Sequence, residues 1–305
     1  MACLLLVSAV SASSADKYFR YGATNIPHDD KIDKGGEDAW LAQSDLLIVA
    51  DGVGGWADQG VDPGLFSKQL VVDLEALHDF HLHQEPGKRE TIKQELKDAV
   101  EVGVQQNMGT CTVVIVKFDD LNPSRLKAIN LGDSGYLLLR PDGNGKEGKL
   151  KRIFRTKEQQ HSFNFPFQVG THGDDPMKAD DLSHDIEDND IIVVASDGVF
   201  DNLYDKDLAE CVKLSMDQFT LTDPQEVSKC IGDKAYKYGK MSNYLSPFAK
   251  NAHAMSVSYP NRGKEDDVTV VVAQIHSFGD GPDGKHRSQK TSTNGAELNF
   301  IVKYQ

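Results

Sequence analysis

Leu-Leu-Ile-Val-Ala-Asp-Gly-Val-Gly-Gly-Trp, residues 46–56, joins an apolar run to an Asp-Gly pair and a glycine-rich loop. A short apolar run bounded by turn residues is typical of a buried β-strand. Residues 191–198 follow the same pattern, because Ile-Ile-Val-Val-Ala-Ser leads into a second Asp-Gly pair. In both places a carboxylate, that of Asp51 or Asp197, stands at the end of a predicted buried strand.

Three further places along the chain put acidic side chains beside apolar segments. Asp133 follows Ala-Ile-Asn-Leu-Gly, Asp266 and Asp267 precede Val-Thr-Val-Val-Val-Ala, and Glu37 and Asp38 precede a strand-like piece. A single Asp-Gly pair is most often a hairpin turn. Buried carboxylates, however, repel one another and persist only with cations or protons. Because all-oxygen ligands favour hard cations, the whole set predicts Mg²⁺ or Mn²⁺ rather than zinc.

Apolar strand-like segments alternate with amphipathic segments along the chain. Helices are predicted to begin at Pro63 and Pro224, since each follows an Asp that can cap a first turn. Another helical face contains Ile92, Leu96 and Ala99. The predicted strands are residues 46–50, 112–118, 126–130, 136–140, 191–195 and 268–275. Groups of strands separated by helices predict an α+β layered domain.

Composition limits the possible functions of this 305-residue chain. Its 39% hydrophobic and 26% charged residues are ordinary for a globular protein. The net charge of −14 argues against a nucleic-acid partner, whose phosphates would be repelled. No apolar run reaches transmembrane length, so no transmembrane segment is expected. Residues 4–10 are predicted to form a first β-strand rather than a secretory signal, because no Lys or Arg precedes them.

The cysteines and histidines do not indicate a zinc site. No CxxC pair occurs among the four cysteines, which we expect to be buried free thiols in a reducing compartment: Cys3, Cys111, Cys211 and Cys230. Three histidines crowd the end of a predicted helix, where a solvated helix end is expected rather than a metal site: His78, His81 and His83.

Three other motifs resemble known sites but miss a required residue. The Gly-x-Gly-x-x-Ala pattern at 52–57 imitates a dinucleotide fingerprint, yet residues 58–64 continue as a loop instead of opening a helix. A haloacid-dehalogenase-type phosphotransferase would need Asp-x-Asp at a strand end, which Asp51 does not provide. The segment 142–153 lacks the Gly and Glu that a calcium loop needs at its sixth and twelfth positions, so a hairpin turn is expected.

The acidic motifs, in their order along the chain, resemble those of the type 2C metal-dependent protein phosphatases over about residues 6–275. The motifs are Gly-Glu-Asp-Ala (36–39), Val-Ala-Asp-Gly-Val-Gly-Gly-Trp (49–56), Asn-Leu-Gly-Asp-Ser-Gly (130–135), Ala-Ser-Asp-Gly-Val-Phe-Asp-Asn (195–202) and Glu-Asp-Asp-Val-Thr-Val (265–270). Three further segments are similar to the mitochondrial and plastid subgroup: Gly-Val-Asp-Pro-Gly-Leu-Phe-Ser (60–67), Glu-Gln-Gln-His-Ser-Phe-Asn-Phe-Pro-Phe-Gln (158–168) and Asn-Tyr-Leu-Ser-Pro-Phe-Ala (243–249).

The resemblance implies an α+β fold in the form of a four-layer α-β-β-α sandwich, with two antiparallel sheets face to face and helices outside each. We expect a type 2C phosphatase domain over residues 1–278. The composition changes near Ser277, and residues 279–305, rich in Gly, Ser, Lys and Asp at first, are expected to be a polar C-terminal tail. By subgroup, the resemblance implies a mitochondrial location, with the plastid as the other choice.

Carried over position by position, the resemblance implies a site for two Mg²⁺ or Mn²⁺ ions. Asp51 would bridge both ions. Glu37 and the carbonyl of Gly52 would bind one ion, and Asp197 and Asp266 the other. A hydroxide held between the ions would attack phosphorus in line, without a covalent enzyme intermediate.

Two more residues receive roles from the resemblance. Asp133 matches the ligand of a third, weaker metal ion in some relatives, and Asp38 would orient metal-bound water, so that Asp38 and Asp51 are the catalytic pair. The implied activity is that of a hydrolase acting on phosphoserine and phosphothreonine in proteins. The alternative is a phosphatase-like structural or regulatory subunit of a larger, mitochondrial assembly, and hydrolysis of small phosphometabolites also stays open.

Two positions depart from the pattern of well-studied cytosolic relatives. Asp33 stands where those relatives have a phosphate-gripping Arg, with Lys31 and Lys34 beside it. A Lys provides a point charge but not the two-pronged geometry of a guanidinium. Val53 stands where they have a His that is proposed as the acid for the leaving group, and His161 is the other candidate donor considered.

We predict that the tail beyond Ser277 is dispensable for catalysis, because its polar composition cannot bury much surface. A protein truncated after Ser277 should fold, as judged by circular dichroism, and should release phosphate from a phosphoserine peptide with Mn²⁺ at the full-length rate. A truncated protein that folds but has lost this activity would contradict the prediction.

Overall fold

The structure, a computed structural model, describes residues 17–142 and 149–277. The strand predicted at residues 4–10, most of the predicted turn within 142–153 and the tail lie outside the described residues. The α-helices are α1 (Pro63–Leu82), α2 (Ile92–Gln106), α3 (Asp197–Phe200), α4 (Asp205–Leu214), α5 (Pro224–Gly239) and α6 (Pro247–Ala254). Short 3₁₀ helices are Asp29–Lys34, Gly54–Gln59, Pro86–Lys88 and Pro176–Lys178.

The strands form two large antiparallel sheets and two small hairpins. In chain order they are β1 (Lys17–Ile26), β2 (Asp38–Ala42), β3 (Leu46–Gly52), β4 (Thr110–Asp119), β5 (Asn122–Leu131), β6 (Gly135–Asp142), β7 (Lys149–Arg155), β8 (Gln160–Ser162), β9 (Phe165–Pro166), β10 (Val169–Gly170), β11 (Asp180–Asp185), β12 (Ile191–Ala195), β13 (Met216–Asp217), β14 (Thr220–Leu221) and β15 (Val268–Ser277). The first sheet has the order β1-β15-β12-β6-β7 and the second β11-β5-β4-β3-β2, with β10 beside β4. The hairpins are β8-β9 and β13-β14.

Strand alternation divides the core into layers. In β3, Leu47 and Val49 pack in the core between the sheets, whereas Leu46, Ile48 and Ala50 pack against the helical side. Helices α1 and α2 cover that outer face of the second sheet, and α4 and α5 cover the outer face of the first. The structure therefore confirms the predicted four-layer sandwich.

Two helix starts confirm the capping argument. The Asp62 carboxylate accepts a hydrogen bond from the backbone N–H of Gly64 at 3.0 Å, directly before Pro63 opens α1. Asp223 accepts from the backbone N–H of Gln225 at 2.9 Å in the same way at the start of α5. In each case the Asp satisfies an N–H that has no partner within the helix.

Strand β1 was missed because its sequence, Lys-Tyr-Phe-Arg-Tyr-Gly-Ala-Thr-Asn-Ile, has few apolar residues. Its length comes from pairing with β15, which runs from Lys17 opposite Ser277 to Ile26 opposite Val268. A Cβ on Gly22 would lie 2.3 Å from the backbone nitrogen of Gln225, so this glycine lets α5 lie directly on the strand. Pairing and close packing, rather than hydrophobic pattern, define this element.

The expectation of free thiols is wrong for two cysteines. Cys211 of α4 and Cys230 of α5 form a disulfide with a Cα–Cα distance of 5.8 Å, because the two helices pack side by side on the first sheet. Their separation of 19 residues gave no signal of this pairing. Cys111 is a buried free thiol, as expected, and Cys3 lies outside the described residues.

The expected solvated helix end is also wrong for two of the three histidines. His78 is buried and lies 3.0 Å from a carboxylate oxygen of Asp45. His81 is buried and lies 2.8 Å from one of Glu95 on α2. Only His83 is exposed. The last turn of α1 therefore packs against its neighbours through charged partners.

Antiparallel register brings the predicted acidic residues to one edge of the sandwich. In the first sheet Ala195 lies opposite Gly135 on one side and Val270 on the other, so Asp197, Asp133 and Asp266 all lie just beyond the same edge. In the second sheet, Asp51 pairs directly with Asp38.

Candidate active site

A cleft of about 540 Å³ opens at this edge. The residues predicted as ligands that line it are Asp51, Gly52, Asp133, Asp197 and Asp266. Of the other predicted site residues, Glu37 and Asp38 are buried close behind, each only 2% exposed. The sequence-predicted residues are therefore brought together, although they are spread over more than two hundred positions of the chain.

The Asp-Gly pair at 197–198 is held by backbone packing. A Cβ on Gly198 would lie 2.0 Å from the carbonyl oxygen of Asp267, so only glycine allows this approach. Asn202 fastens the same loops, because its side-chain amide donates to the carbonyls of Gly198 at 2.9 Å and Lys264 at 2.7 Å. Asp197 and Asp266 are thereby held on facing loops.

Asp267 organises the site. Its carboxylate is buried and accepts hydrogen bonds from the backbone N–H of His28 at 2.7 Å and of Glu37 at 3.0 Å. Gly36, with a φ of 75°, lets the chain turn tightly over this carboxylate, since a Cβ there would lie 2.8 Å from its oxygen. Asp266, by contrast, faces the cleft with a side chain that is 24% exposed.

Asp38 is fixed by a buried hydrogen bond. The hydroxyl of Ser196 donates to one carboxylate oxygen of Asp38 at 2.8 Å, and the backbone N–H of Thr269 donates to the Ser196 hydroxyl at 3.1 Å. The other carboxylate oxygen of Asp38 accepts no hydrogen bond from the described residues. Asp38 thus has one oxygen held in place and one available.

Two lysines point into the acidic cluster. The Lys264 ammonium lies 2.5 Å from an oxygen of Asp197, 2.8 Å from one of Asp201 and 3.1 Å from one of Asp266. The Lys31 ammonium lies 2.6 Å from Glu37, and it also contacts Asp267. In this arrangement the two ammonium groups supply the positive charge that offsets the carboxylates.

Sequence reasoning missed Lys264 and Asp201. The signal was available for Lys264, because it stands two positions before Asp266 and alternate residues of an extended segment share a side. Asp201 gave no comparable signal. Lys31, one of the two lysines beside Asp33 that could provide a point charge for phosphate, lines the cleft.

Crowding of carboxylates changes their ionisation. Burial, reinforced by the charge of Asp38, raises the pKa of Asp51 well above its ordinary value. Burial and the charge of Asp267 raise the pKa of Asp38 to about 8, and burial and Asp197 raise that of Asp133 to about 7. Burial would raise the pKa of Asp197 too, but Lys264 outweighs it and the pKa lies below the ordinary value.

The chemistry of these side chains fits divalent cations. Within residues 17–142 and 149–277, no three His, Cys, Asp or Glu side chains are already arranged around one point as ligands. Yet Asp38 and Asp197 each keep a buried carboxylate oxygen without a hydrogen bond, and such atoms are costly unless a cation or water contacts them. Carboxylate and carbonyl oxygens are the ligands that Mg²⁺ and Mn²⁺ prefer.

The two candidate proton donors differ in position. Val53 lines the cleft and places an aliphatic side chain there. His161 does not line it; its Nε2 lies 2.9 Å from Asp174, and its ring stacks on Phe167 at 4.3 Å. These contacts support the interpretation of His161 as a structural residue of its loop.

Comparison with known proteins gives matches to protein phosphatases of the 2C type, in agreement with the geometry of the cleft. The protein phosphatase 2C family model matches residues 180–244. The probable protein phosphatase 2C 26 of Arabidopsis thaliana is 34% identical over 272 residues, which cover 84% of this chain and 83% of the relative. The protein phosphatase PTC7 homolog fig of Drosophila ananassae is 34% identical over 256 residues, covering 79% of this chain and 73% of the relative.

Solved structures share the fold. The X-ray structure of the photosystem II phosphatase PBCP superposes with a TM-score of 0.71 at 28% identity, covering 84% of this chain and 98% of that one. The catalytic domain of the serine/threonine phosphatase PstP gives a TM-score of 0.57 at 20% identity, covering 85% and 99%, which shows likeness of fold alone. No described helix is both long and apolar enough to span a bilayer. On the strength of its curated relatives, this chain belongs to the protein phosphatase 2C family.

Proposed function

We propose that this protein phosphatase hydrolyses phosphoserine and phosphothreonine in proteins with the aid of two Mg²⁺ or Mn²⁺ ions. The observation that carries the proposal is the convergence of four carboxylates on one open cleft: Asp51, Asp133, Asp197 and Asp266. Carboxylates gathered in this way repel each other, and this repulsion destabilises the metal-free fold. Bound cations would relieve it.

The ligand assignment is the one that the family resemblance implies, and the gathering of most of these residues in one cleft supports it. Asp51 would be shared by two ions, with Glu37 and the Gly52 carbonyl on one ion and Asp197 and Asp266 on the other. Asp133 would serve a third, weaker ion. The PstP structure contains two manganese ions, which supports this number. When bound, such ions activate a water molecule and offset charge on the phosphoryl oxygens.

The chain's own side chains supply the remaining chemistry. The free carboxylate oxygen of Asp38 can accept a hydrogen bond from the attacking water and so orient it, because Ser196 holds the other oxygen. The Lys31 ammonium lines the cleft, with a side chain 24% exposed, and can attract the substrate phosphate as a point charge. Substrate binding would then depend on charge more than on the paired hydrogen bonds that an Arg provides.

The wider setting is proposed with the same activity. The substrates are phosphorylated proteins, and residues 1–278 form the phosphatase domain, with 279–305 as a polar tail. We place the protein in the mitochondrion or the plastid. The likeness to a phosphatase named for photosystem II supports an organellar location.

We predict that activity requires Mg²⁺ or Mn²⁺ and the shared carboxylate. Asp51→Asn and Asp197→Asn should each lower kcat/KM for a phosphoserine peptide by at least about 10³-fold, because the ions stabilise the transition-state charge. Asp217→Asn, which removes an exposed carboxylate from β13, is the matched control and should leave the rate unchanged. Full activity in excess EDTA would contradict the mechanism. Phosphopeptide binding without hydrolysis would favour the structural-subunit alternative.

We predict that the metal-free protein becomes less stable as pH rises from about 4 to 8. The folded protein holds protons on Asp38 and Asp133 up to pKa values of about 8 and 7, whereas unfolded Asp ionises near 3.9. The folded state therefore binds more protons in this window, and its stability falls with pH. Thermal melts in EDTA should give a higher Tm at pH 6 than at pH 8, and Mn²⁺ should raise Tm more at pH 8.

The same experiment has an internal control. Asp51→Asn replaces a carboxyl group that must hold a proton to stay buried at pH 8, so the metal-free variant should be more stable at that pH by at least about 1 kcal/mol, while Mn²⁺ should stabilise it less than the wild type. Asp217→Asn should behave as the wild type. A metal-free Tm that is higher at pH 8 than at pH 6 would refute the assignment of the carboxylate repulsion.

We predict that Val53 limits the range of leaving groups. Protonation of the leaving oxygen contributes roughly 10²–10⁴-fold when that oxygen is strongly basic. Serine alkoxide needs this help and nitrophenolate does not, so the wild type should favour nitrophenyl phosphate. Val53→His should raise turnover of phosphoserine more than that of nitrophenyl phosphate when both rates are followed from pH 5 to 9. A loss confined to phosphoserine in His161→Ala would show instead that His161 donates the proton.

A further inference from the structure

A second, larger cleft of about 810 Å³ lies next to the acidic one, and it has the opposite charge. Four basic side chains line it against two acidic ones: Arg152, Arg155, Lys157 and Lys206, with Glu158 and Asp205. This local excess of positive charge contrasts with the net charge of −14 for the whole chain. The proposed metal site does not involve this basic cleft.

Arg155 occupies the floor of the basic cleft with few partners. Its guanidinium carbon lies 3.4 Å above the centre of the Phe200 ring, and its side chain is 22% exposed. Its Nε is 3.6 Å from Asp205, whose other carboxylate oxygen accepts a hydrogen bond from Arg152 at 2.6 Å. Burial lowers the pKa of Arg155 to about 10, although Asp205 works in the opposite direction. Asp205, which Arg155 shares with Arg152, therefore offsets only part of the positive charge of the Arg155 guanidinium.

An anion would complete this arrangement. A guanidinium offers five N–H donors, and the polar contacts of the Arg155 guanidinium among the described residues are the long one to Asp205 and a 3.4 Å hydrogen bond to the Thr156 hydroxyl. Arg152 also lines the cleft, and its side chain is 62% exposed. Paired arginines match the geometry of carboxylate and phosphate oxygens.

The basic cleft adjoins the acidic one across helix α3. Phe200 at the end of this helix lines the basic cleft, and Asp197 at its start lines the acidic cleft. Three helical positions correspond to about 4.5 Å along the axis. Glu158 lies close enough to both clefts to be affected by charges in each. Desolvation raises its pKa, Arg155 of the basic cleft lowers it, and Asp197 of the acidic cleft raises it further. One extended peptide can therefore reach both clefts, since each residue advances about 3.3 Å.

We propose that the basic cleft binds an anionic group of the substrate protein, a carboxylate or a second phosphate, located about two to four residues from the phosphoserine or phosphothreonine being hydrolysed. The proposal rests on the phosphatase function proposed above and adds a substrate class to it. A strongly acidic protein would otherwise repel acidic segments, and the basic cleft reverses that repulsion beside the active site.

The test uses the full chain with Mn²⁺ and a panel of phosphothreonine peptides with an uncharged background. One peptide series carries Glu at each position from four before to four after the phosphothreonine, a matched series carries Gln, and a third carries phosphoserine. The wild type should show a kcat/KM at least about tenfold higher for Glu than for Gln at one or two positions, as one well-placed charged contact permits. The phosphoserine series distinguishes a phosphate ligand from a carboxylate.

Matched variants separate the cleft from bulk charge. Arg152→Gln and Lys206→Gln remove exposed charges that line the basic cleft, and each should reduce the Glu-to-Gln ratio toward one. Lys151→Gln removes an equal, exposed charge from the neighbouring position of β7, which does not line the cleft, and should keep the wild-type ratio. Lys206→Glu should abolish the preference for Glu, because three basic and three acidic side chains would then line the cleft.

The outcomes that overturn the inference are distinct from failure of the enzyme. Equal kcat/KM across all peptides, with hydrolysis intact, would show that the basic cleft does not recognise substrate. An equal loss of preference in Lys151→Gln would show that net charge alone sets it. Absence of hydrolysis of every peptide and of nitrophenyl phosphate would overturn the proposed function, and this inference with it.

Discussion

Mutual repulsion among buried carboxylates at one edge of the sandwich is the constraint on which the rest of the site depends. Asp38 and Asp51 face each other across a strand pair of the second sheet, and Asp197 and Asp266 join them from the first sheet. In the metal-free protein two effects reduce this repulsion. Asp51 holds a proton, as its raised pKa indicates, and the ammonium group of Lys264 contacts Asp197. Divalent cations would also reduce the repulsion, and they would in addition activate a water molecule for catalysis.

The antiparallel strand pairing of the fold brings these acidic residues to one edge of the sandwich. Antiparallel pairing sets the end of each strand beside the start of its neighbour, so acidic residues that flank strands in sequence meet at one edge. Close backbone packing then fixes the loops, as at Gly198, where no side chain fits beside the carbonyl of Asp267. Stability is given up at this edge for function, while the three apolar layers of the sandwich supply the stability elsewhere.

Charge also shapes the surroundings of the site. Lys31 and Lys264 enter the acidic cleft, and Arg152 and Arg155 line the cleft beyond α3. The region therefore offers negative charge where cations would bind and positive charge where anions would approach. Such an alternation suits an enzyme that must hold metal ions and attract phosphorylated, acidic segments with one surface.

The sequence by itself determined the strands with continuous apolar runs, the capped starts of α1 and α5, and the acidic residues at strand ends such as Asp51 and Asp197, because these features are local. The type 2C motifs added the two-sheet sandwich and the family. Only the tertiary structure revealed the contacts of Lys264 with Asp197 and Asp201, the Cys211–Cys230 disulfide and the buried His78 and His81. It alone showed the basic cleft, which joins β7, α3, α4 and α6. These features arise from contacts between residues far apart in the chain, and no local pattern of hydrophobicity or charge specifies which distant side chains will meet.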